Sequence, residues 1–266
     1  MRRIVTIGLI AAAIIGIIVI SMVLAFRSKG QEQASSGPYL KEAEIASAQG
    51  NYIEAKNIYK KALEATDDVN KLKEIQKKIE EINIKIIFSP AMDKCSTKYT
   101  VKPGDILAKI AKEFNTTVEL VKRANSLNSD VIRPEQQLKI NTCKFSIAVD
   151  KSQNLLFLKT GDEVVKTYIV STGKDNSTPV GSFKIVNKQP NPTWFKTGAV
   201  IPPNSPENIL GTRWLGLDAK GYGIHGTTEP QNLGKQVTMG CVRMKDEEVE
   251  QLYDIIPVGT EVTIID

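Results

Sequence analysis

Histidine is almost absent from this chain: His225 is the only one among 266 residues. Cysteine is scarce too, at 95, 143 and 241, with no two close in sequence. Together the shortages argue against a zinc site, whose ligands usually come as Cys or His pairs a few residues apart. Cation clusters are missing where nucleic acid would need them. Residues 1–143 hold 22 Lys and Arg against 16 Asp and Glu, whereas residues 144–266 hold 13 against 14. Phosphate neutralisation requires clustered positive charge, so no nucleic-acid partner is expected.

What is present divides into segments. After Met1-Arg2-Arg3 come 23 residues without a charge, 4–26, enough at helical rise to cross a hydrocarbon core of ~30 Å. The sequence predicts a transmembrane anchor over 1–27, with the amino terminus inside and the remainder extracytoplasmic at the cell wall. A cleaved signal peptide usually has a shorter apolar region. Residues 28–37 have the small, polar composition of a linker. Over 38–90 helical spacing returns: Tyr52, Ala55, Tyr59, Ala62 and Leu63 share one face, and Val69, Leu72, Ile75, Ile79, Ile82 and Ile86 form a second stripe. This small all-α hairpin segment resembles the second half of a tetratricopeptide repeat, without a second copy at the 34-residue period. It reads as a spacer, with a protein-docking surface as the alternative.

Residues 97–141 follow the order strand, turn, two helices, strand. Pro103-Gly104-Asp105 is expected to make the turn and cap the first helix, and Asn115-Thr116-Thr117 to start the second. With Tyr99-Thr100-Val101, Asn125, Ile132, Pro134, Gln137-Leu138 and Ile140, this βααβ pattern resembles a LysM domain. The resemblance implies binding to glycan strands containing N-acetylglucosamine, through Asp105, Ile106, Leu107, Asn128 and Ile132. Glu135 stands where a glycine is common, and is expected only to stiffen the last turn.

From 144 to 266 the pattern becomes short strands punctuated by Gly and Pro, with one helix over 246–256. This half carries His225 in YGIHG and, sixteen positions on, Cys241 in TMGCVRM. Either residue alone would be unremarkable. Together they suggest a thiol nucleophile and the imidazole that takes its proton and returns it to a leaving amine. The interval is too long for one helical turn but suits the ends of two neighbouring strands. Gly240 admits close approach of a reacting carbonyl, and the Gly240 and Cys241 amides could form an oxyanion hole. Arg243, two residues along, would share a face with Cys241 and could grip a carboxylate.

The IHG and TMGCVRM stretches resemble the signature of the L,D-transpeptidases, cysteine enzymes of peptidoglycan cross-linking. VSTGKDNSTPVGSFKI and ILGTRWLGL agree with it. The resemblance implies a mainly-β catalytic domain in which Cys241 attacks the third, diamino-acid residue of a tetrapeptide stem, releasing D-Ala and forming a thioester. A stem amine then gives a 3→3 cross-link, whereas water gives L,D-carboxypeptidase activity. His225 is base and acid, assisted by Gly240 and by the Met239 carbonyl, which would orient it. Thr238, Gly226 and Tyr222 join Arg243 in contacting substrate, and no metal or organic cofactor is implied. Met239 and Thr238 depart from the family's usual residues there. A non-catalytic wall-binding protein is the reading from another class. Cys95 and Cys143 flank the two LysM strands and fall at the same end of an antiparallel ladder. They are placed to form a disulfide, leaving Cys241 as the free thiol.

Overall fold

The computed structural model describes residues 35–266 apart from Thr197. The apolar run 4–26 lies outside the described residues, and no helix among those described is long and apolar enough to cross a membrane. The chain forms two compact units that meet in sequence near residue 86.

The first unit contains α1 (Ser36–Ala48), α2 (Tyr52–Glu64) and most of α3 (Val69–Ile87). Ser35 caps α1, its hydroxyl accepting from the Gly37 amide, so the helix starts slightly ahead of the expected boundary. Ala43, Ala46, Ala55 and Ala62 are small enough to bring helix backbones close, and Ile58, Tyr59, Ile75, Ile79, Ile82 and Ile86 fill the core. Asp68 starts α3 by accepting from the Asn70 and Lys71 amides. Val69 is half exposed rather than part of the buried stripe: it sits in the first turn, before the helix reaches its partners.

The second unit opens with the βααβ module. Strand β1 (Ser96–Thr100) pairs antiparallel with β2 (Gln137–Asn141), and α4 (Leu107–Glu113) and α5 (Val118–Ala124) lie between them in sequence. Val101, Leu107, Ile110, Val121, Leu138 and Ile140 form its core. Thr117 caps α5, accepting from the Leu120 amide. Asp105 does not cap α4 as expected; its carboxylate accepts from the Tyr99 hydroxyl and the Lys102 amide, each at 2.8 Å, and so closes the turn instead. Glu135 adopts φ 66°, the left-handed region that costs a side-chain-bearing residue about 1 kcal/mol or more. It therefore strains the turn where a glycine would relax it. Cys95 and Cys143 form a disulfide with Cα atoms 4.9 Å apart.

An eight-stranded mixed sheet follows: β3 (Phe145–Asp150), β4 (Leu155–Thr160), β5 (Glu163–Ile169), β7 (Gly181–Pro190), β10 (Arg213–Leu217), β11 (Gly223–His225), β13 (Val242–Arg243) and β14 (Glu261–Ile265). They lie in the order β13-β11-β10-β7-β14-β3-β4-β5. Two small pairs accompany it: β6 (Thr172–Gly173) with β12 (Gln236–Thr238), and the hairpin of β8 (Trp194–Lys196) and β9 (Ala199–Ile201), which sequence periodicity did not reveal. Ile147, Val149, Leu156, Leu158, Ile185, Leu215, Ile224, Val262 and Ile264 are buried along the sheet. Helix α6 (Asp246–Ile255) packs on β10, β11 and α5. Its Asp254 accepts from the Thr117 hydroxyl through its carbonyl and pairs with Arg123 at 2.7 Å through its carboxylate. Arg123 also stacks 3.4 Å over the Phe88 ring.

Candidate active site

The spacing between His225 and Cys241 has a topological cause. Strands β11 and β13 are parallel neighbours, with Ile224 opposite Val242 and His225 opposite Arg243. Parallel neighbours cannot be joined by a tight hairpin and need a crossover of roughly a dozen residues or more. Here that crossover is residues 226–241, containing the single turn Pro230–Asn232 and strand β12. Cys241 immediately precedes β13, so side-chain alternation puts it on the face shared by Arg243 and His225.

The imidazole is 2% exposed. Its Nδ1 lies 2.7 Å from the Gly226 carbonyl oxygen, whereas the expected partner was the carbonyl of Met239, a residue that is 80% exposed. The indole of Trp214, register partner of His225 on β10, stacks on the ring at 6.0 Å between centroids. Trp214 needs Gly223 beside it, since a Cβ there would lie 2.6 Å from the indole. Burial pushes the histidine pKa down to about 4; the Gly226 carbonyl opposes this, the Arg243 charge adds to it, and the Leu210 carbonyl opposes it more weakly. The ring is therefore neutral at pH 7.

The Cys241 thiol donates to the Gly221 carbonyl at 3.6 Å. Burial raises its pKa, against the Gly223 amide and then the Arg243 guanidinium, which lower it. The thiol and the imidazole thus both rest in their uncharged forms. The turn carrying the sulfur is held by threonines. Thr238 Oγ1 accepts from the Gly240 amide at 3.1 Å and donates to the Cys241 carbonyl at 2.7 Å. Thr178 Oγ1 donates to the Gly240 carbonyl and accepts from the Gly173 amide. Gly240, at φ 127°, is required twice over: that conformation disfavours a side chain, and a Cβ would lie 2.6 Å from the Tyr222 ring. Because Thr238 engages the Gly240 amide, only half of the expected oxyanion pair is open as the turn stands.

Arg243 is not an open clamp. Its side chain is buried, and Nη1 donates to Glu229 at 2.7 Å, while Nε has no partner among the described residues. Glu229 was not foreseen from sequence, and neither was Trp214; each meets the site across a strand or crossover, with no local motif marking it. In the LysM module Ile106 and Asn128 are exposed and Ile132 half-buried. Leu107 is 2% exposed, which corrects its expected place in the glycan groove: as the first residue of α4 it turns into the core.

A family model described as the L,D-transpeptidase catalytic domain (YkuD) matches residues 144–264, and one for the LysM domain matches residues 99–141. Over 126 residues the chain is 44% identical to L,D-transpeptidase YqjB of Bacillus subtilis, covering 45% of this chain and 70% of that protein. To L,D-transpeptidase YkuD of the same organism it is 36% identical over 173 residues, 62% of this chain and 97% of that protein. The corresponding YkuD of Bacillus licheniformis is 39% identical over 174 residues, again 62% and 97%. The two YkuD proteins are matched through nearly their whole length, and the catalytic-domain match over residues 144–264 takes in the cysteine and histidine that the β11–β13 crossover brings to one face; the chain therefore belongs to the L,D-transpeptidase family, an enzyme with a LysM domain ahead of its catalytic domain.

Proposed function

We propose that the protein is held to the membrane by residues 4–26, works outside it, and forms 3→3 cross-links between peptidoglycan stems. The observation that carries the chemistry is the commitment of His225 Nδ1 to the Gly226 carbonyl. In a neutral ring that nitrogen bears the proton, so Nε2 is the acceptor. The thiol leaves the Gly221 carbonyl, passes its proton to Nε2 and attacks the carbonyl carbon of the diamino acid at stem position three. Collapse of the tetrahedral adduct breaks the bond to D-Ala, whose amine takes the proton from Nε2. The side-chain amine of a second stem then attacks the thioester, gives a proton to Nε2, and the departing sulfur recovers it.

The Cys241 amide is one donor to the developing oxyanion; the Gly240 amide becomes the second by leaving Thr238 Oγ1. Arg243 acts through its charge, favouring thiolate over thiol and neutral over protonated imidazole, and ties down the crossover through Glu229. Ile106 and Asn128, exposed on the LysM module, contact glycan and raise the local concentration of enzyme on the wall polymer.

Incubating the full chain in detergent with disaccharide tetrapeptides and weighing the products tests this. Dimers lighter by one D-Ala for each cross-link are expected. Release of D-Ala with tripeptide monomers alone would establish carboxypeptidase activity instead, and absence of both that release and a covalent carbapenem adduct on Cys241 would overturn the assignment.

A further inference from the structure

We propose that Asp246 is a positioning residue for His225, acting through the Gly226–Thr227 peptide group, so that the catalytic set is Cys–His–peptide–Asp. The inference rests on His225 being the proton carrier. Asp246 is the first residue of α6, and one oxygen, Oδ1, accepts from the Thr227 amide at 3.0 Å and from the Thr212 amide at 3.2 Å. The Thr227 N–H and the Gly226 C=O belong to a single planar trans peptide group and point in opposite directions. One end therefore meets Asp246 and the other meets His225 Nδ1 at 2.7 Å. Fixing the N–H fixes the plane of the carbonyl that selects the tautomer. A carboxylate on the N–H also polarises the group and strengthens the carbonyl as an acceptor.

The arrangement is built around this carboxylate. A Cβ on Gly226 would lie 2.0 Å from Asp246 Oδ1, and one on Gly211 would lie 2.1 Å from it. Both glycines leave the volume that the oxygen occupies. The rest of the segment is secured independently: the His225 carbonyl accepts from the Met244 amide at 2.8 Å and the Gly226 amide donates to the Arg213 carbonyl at 3.2 Å. The 226–227 peptide is the part whose orientation depends on Asp246.

The chain's single histidine makes the test direct, because ¹⁵N-histidine labelling of the full-length protein reports one imidazole. Wild type should show the neutral Nδ1–H tautomer. Asp246→Ala should shift the population toward Nε2–H and slow carbapenem acylation of Cys241 by on the order of tenfold or more, part of the ~10²–10⁴ that general acid–base catalysis supplies. Asp246→Asn, which keeps an acceptor without the charge, should restore the tautomer and most of the rate, with the Nδ1–H proton resonance moved upfield. An Asp246→Ala protein with wild-type tautomer overturns the proposal, whatever its rate. If that variant does not fold, an unmoved Nδ1–H resonance in Asp246→Asn overturns it. The tautomer is read without substrate, so an error in the assigned reaction would leave that result standing.

Discussion

Ile106 of the LysM module is 52% exposed, whereas His225 of the catalytic domain is 2% exposed. The first can be changed without disturbing the core beneath it, in which Leu107 and Ile110 do the packing. The second is held by a carbonyl, an indole and the edge of the sheet at once. The glycan contact proposed for Ile106 is laid over a finished fold, while the proton carrier proposed in His225 is assembled from parts that are also its structure. Changes in the two regions should therefore separate binding from stability in one and join activity to stability in the other.

The sharpest break comes from Cys241→Ala, which should abolish turnover and adduct formation because no second thiol is free among the described residues. Retained D-Ala release would remove Cys241 from the mechanism. Next in size is the loss of the Cys95–Cys143 disulfide. In the chain-entropy picture, closing 48 residues stabilises by about 4 kcal/mol, so a Cys95→Ser, Cys143→Ser double variant should unfold at markedly lower denaturant. Non-reducing peptide mapping should find the Cys95–Cys143 peptide, and three alkylatable thiols in oxidised protein would refute the bridge.

His225 couples both readouts. Its folded pKa, about 4, lies below the ordinary value near 6.5. As pH falls from about 6.5 the unfolded chain takes up a proton that the folded chain refuses, so stability declines until about pH 4 and is flat below it. The full difference is on the order of 3 kcal/mol. His225→Gln should lose this component, showing a shallower fall in stability between pH 6.5 and 4, and lose ~10²-fold or more in rate at pH 7. Parallel pH–stability curves for the two proteins would mean that the ring is not buried neutral. The smallest effect is expected from Ile106→Ala with Asn128→Ala: a severalfold drop in sacculus pull-down, an unchanged melting temperature and an unchanged rate on soluble muropeptides. A lowered melting temperature would place these residues in the fold. Point changes suit this test better than deleting the module, since Thr117 and Arg123 hold Asp254 of α6.

How far the sequence announced this arrangement follows the range of the contacts. The βααβ module was legible because its turn and cap residues act within a few positions, as Thr117 does on Leu120. Cys241 and His225 were legible because rare residue types stood in glycine frames. Asp105 misled because a carboxylate before a helix can cap it or close the preceding turn, and only the placement of Tyr99 decides. Trp214, Glu229 and Asp246 stayed hidden because each reaches the site by pairing or packing over 11 to 19 positions from its partner. Burial likewise separated Leu107 from Ile106, two adjacent apolar residues that a linear pattern treats alike.

The disulfide also determines where tension travels. A pull applied between the residues before Cys95 and those after Cys143 crosses the sulfur–sulfur bond and bypasses the segment it encloses, 48 positions that could otherwise pay out roughly 160 Å of extended chain. While the bond is closed, tension carried along the chain into the catalytic domain cannot unravel the LysM module by its ends. A protease cut inside the ring would likewise leave both flanks of the protein joined.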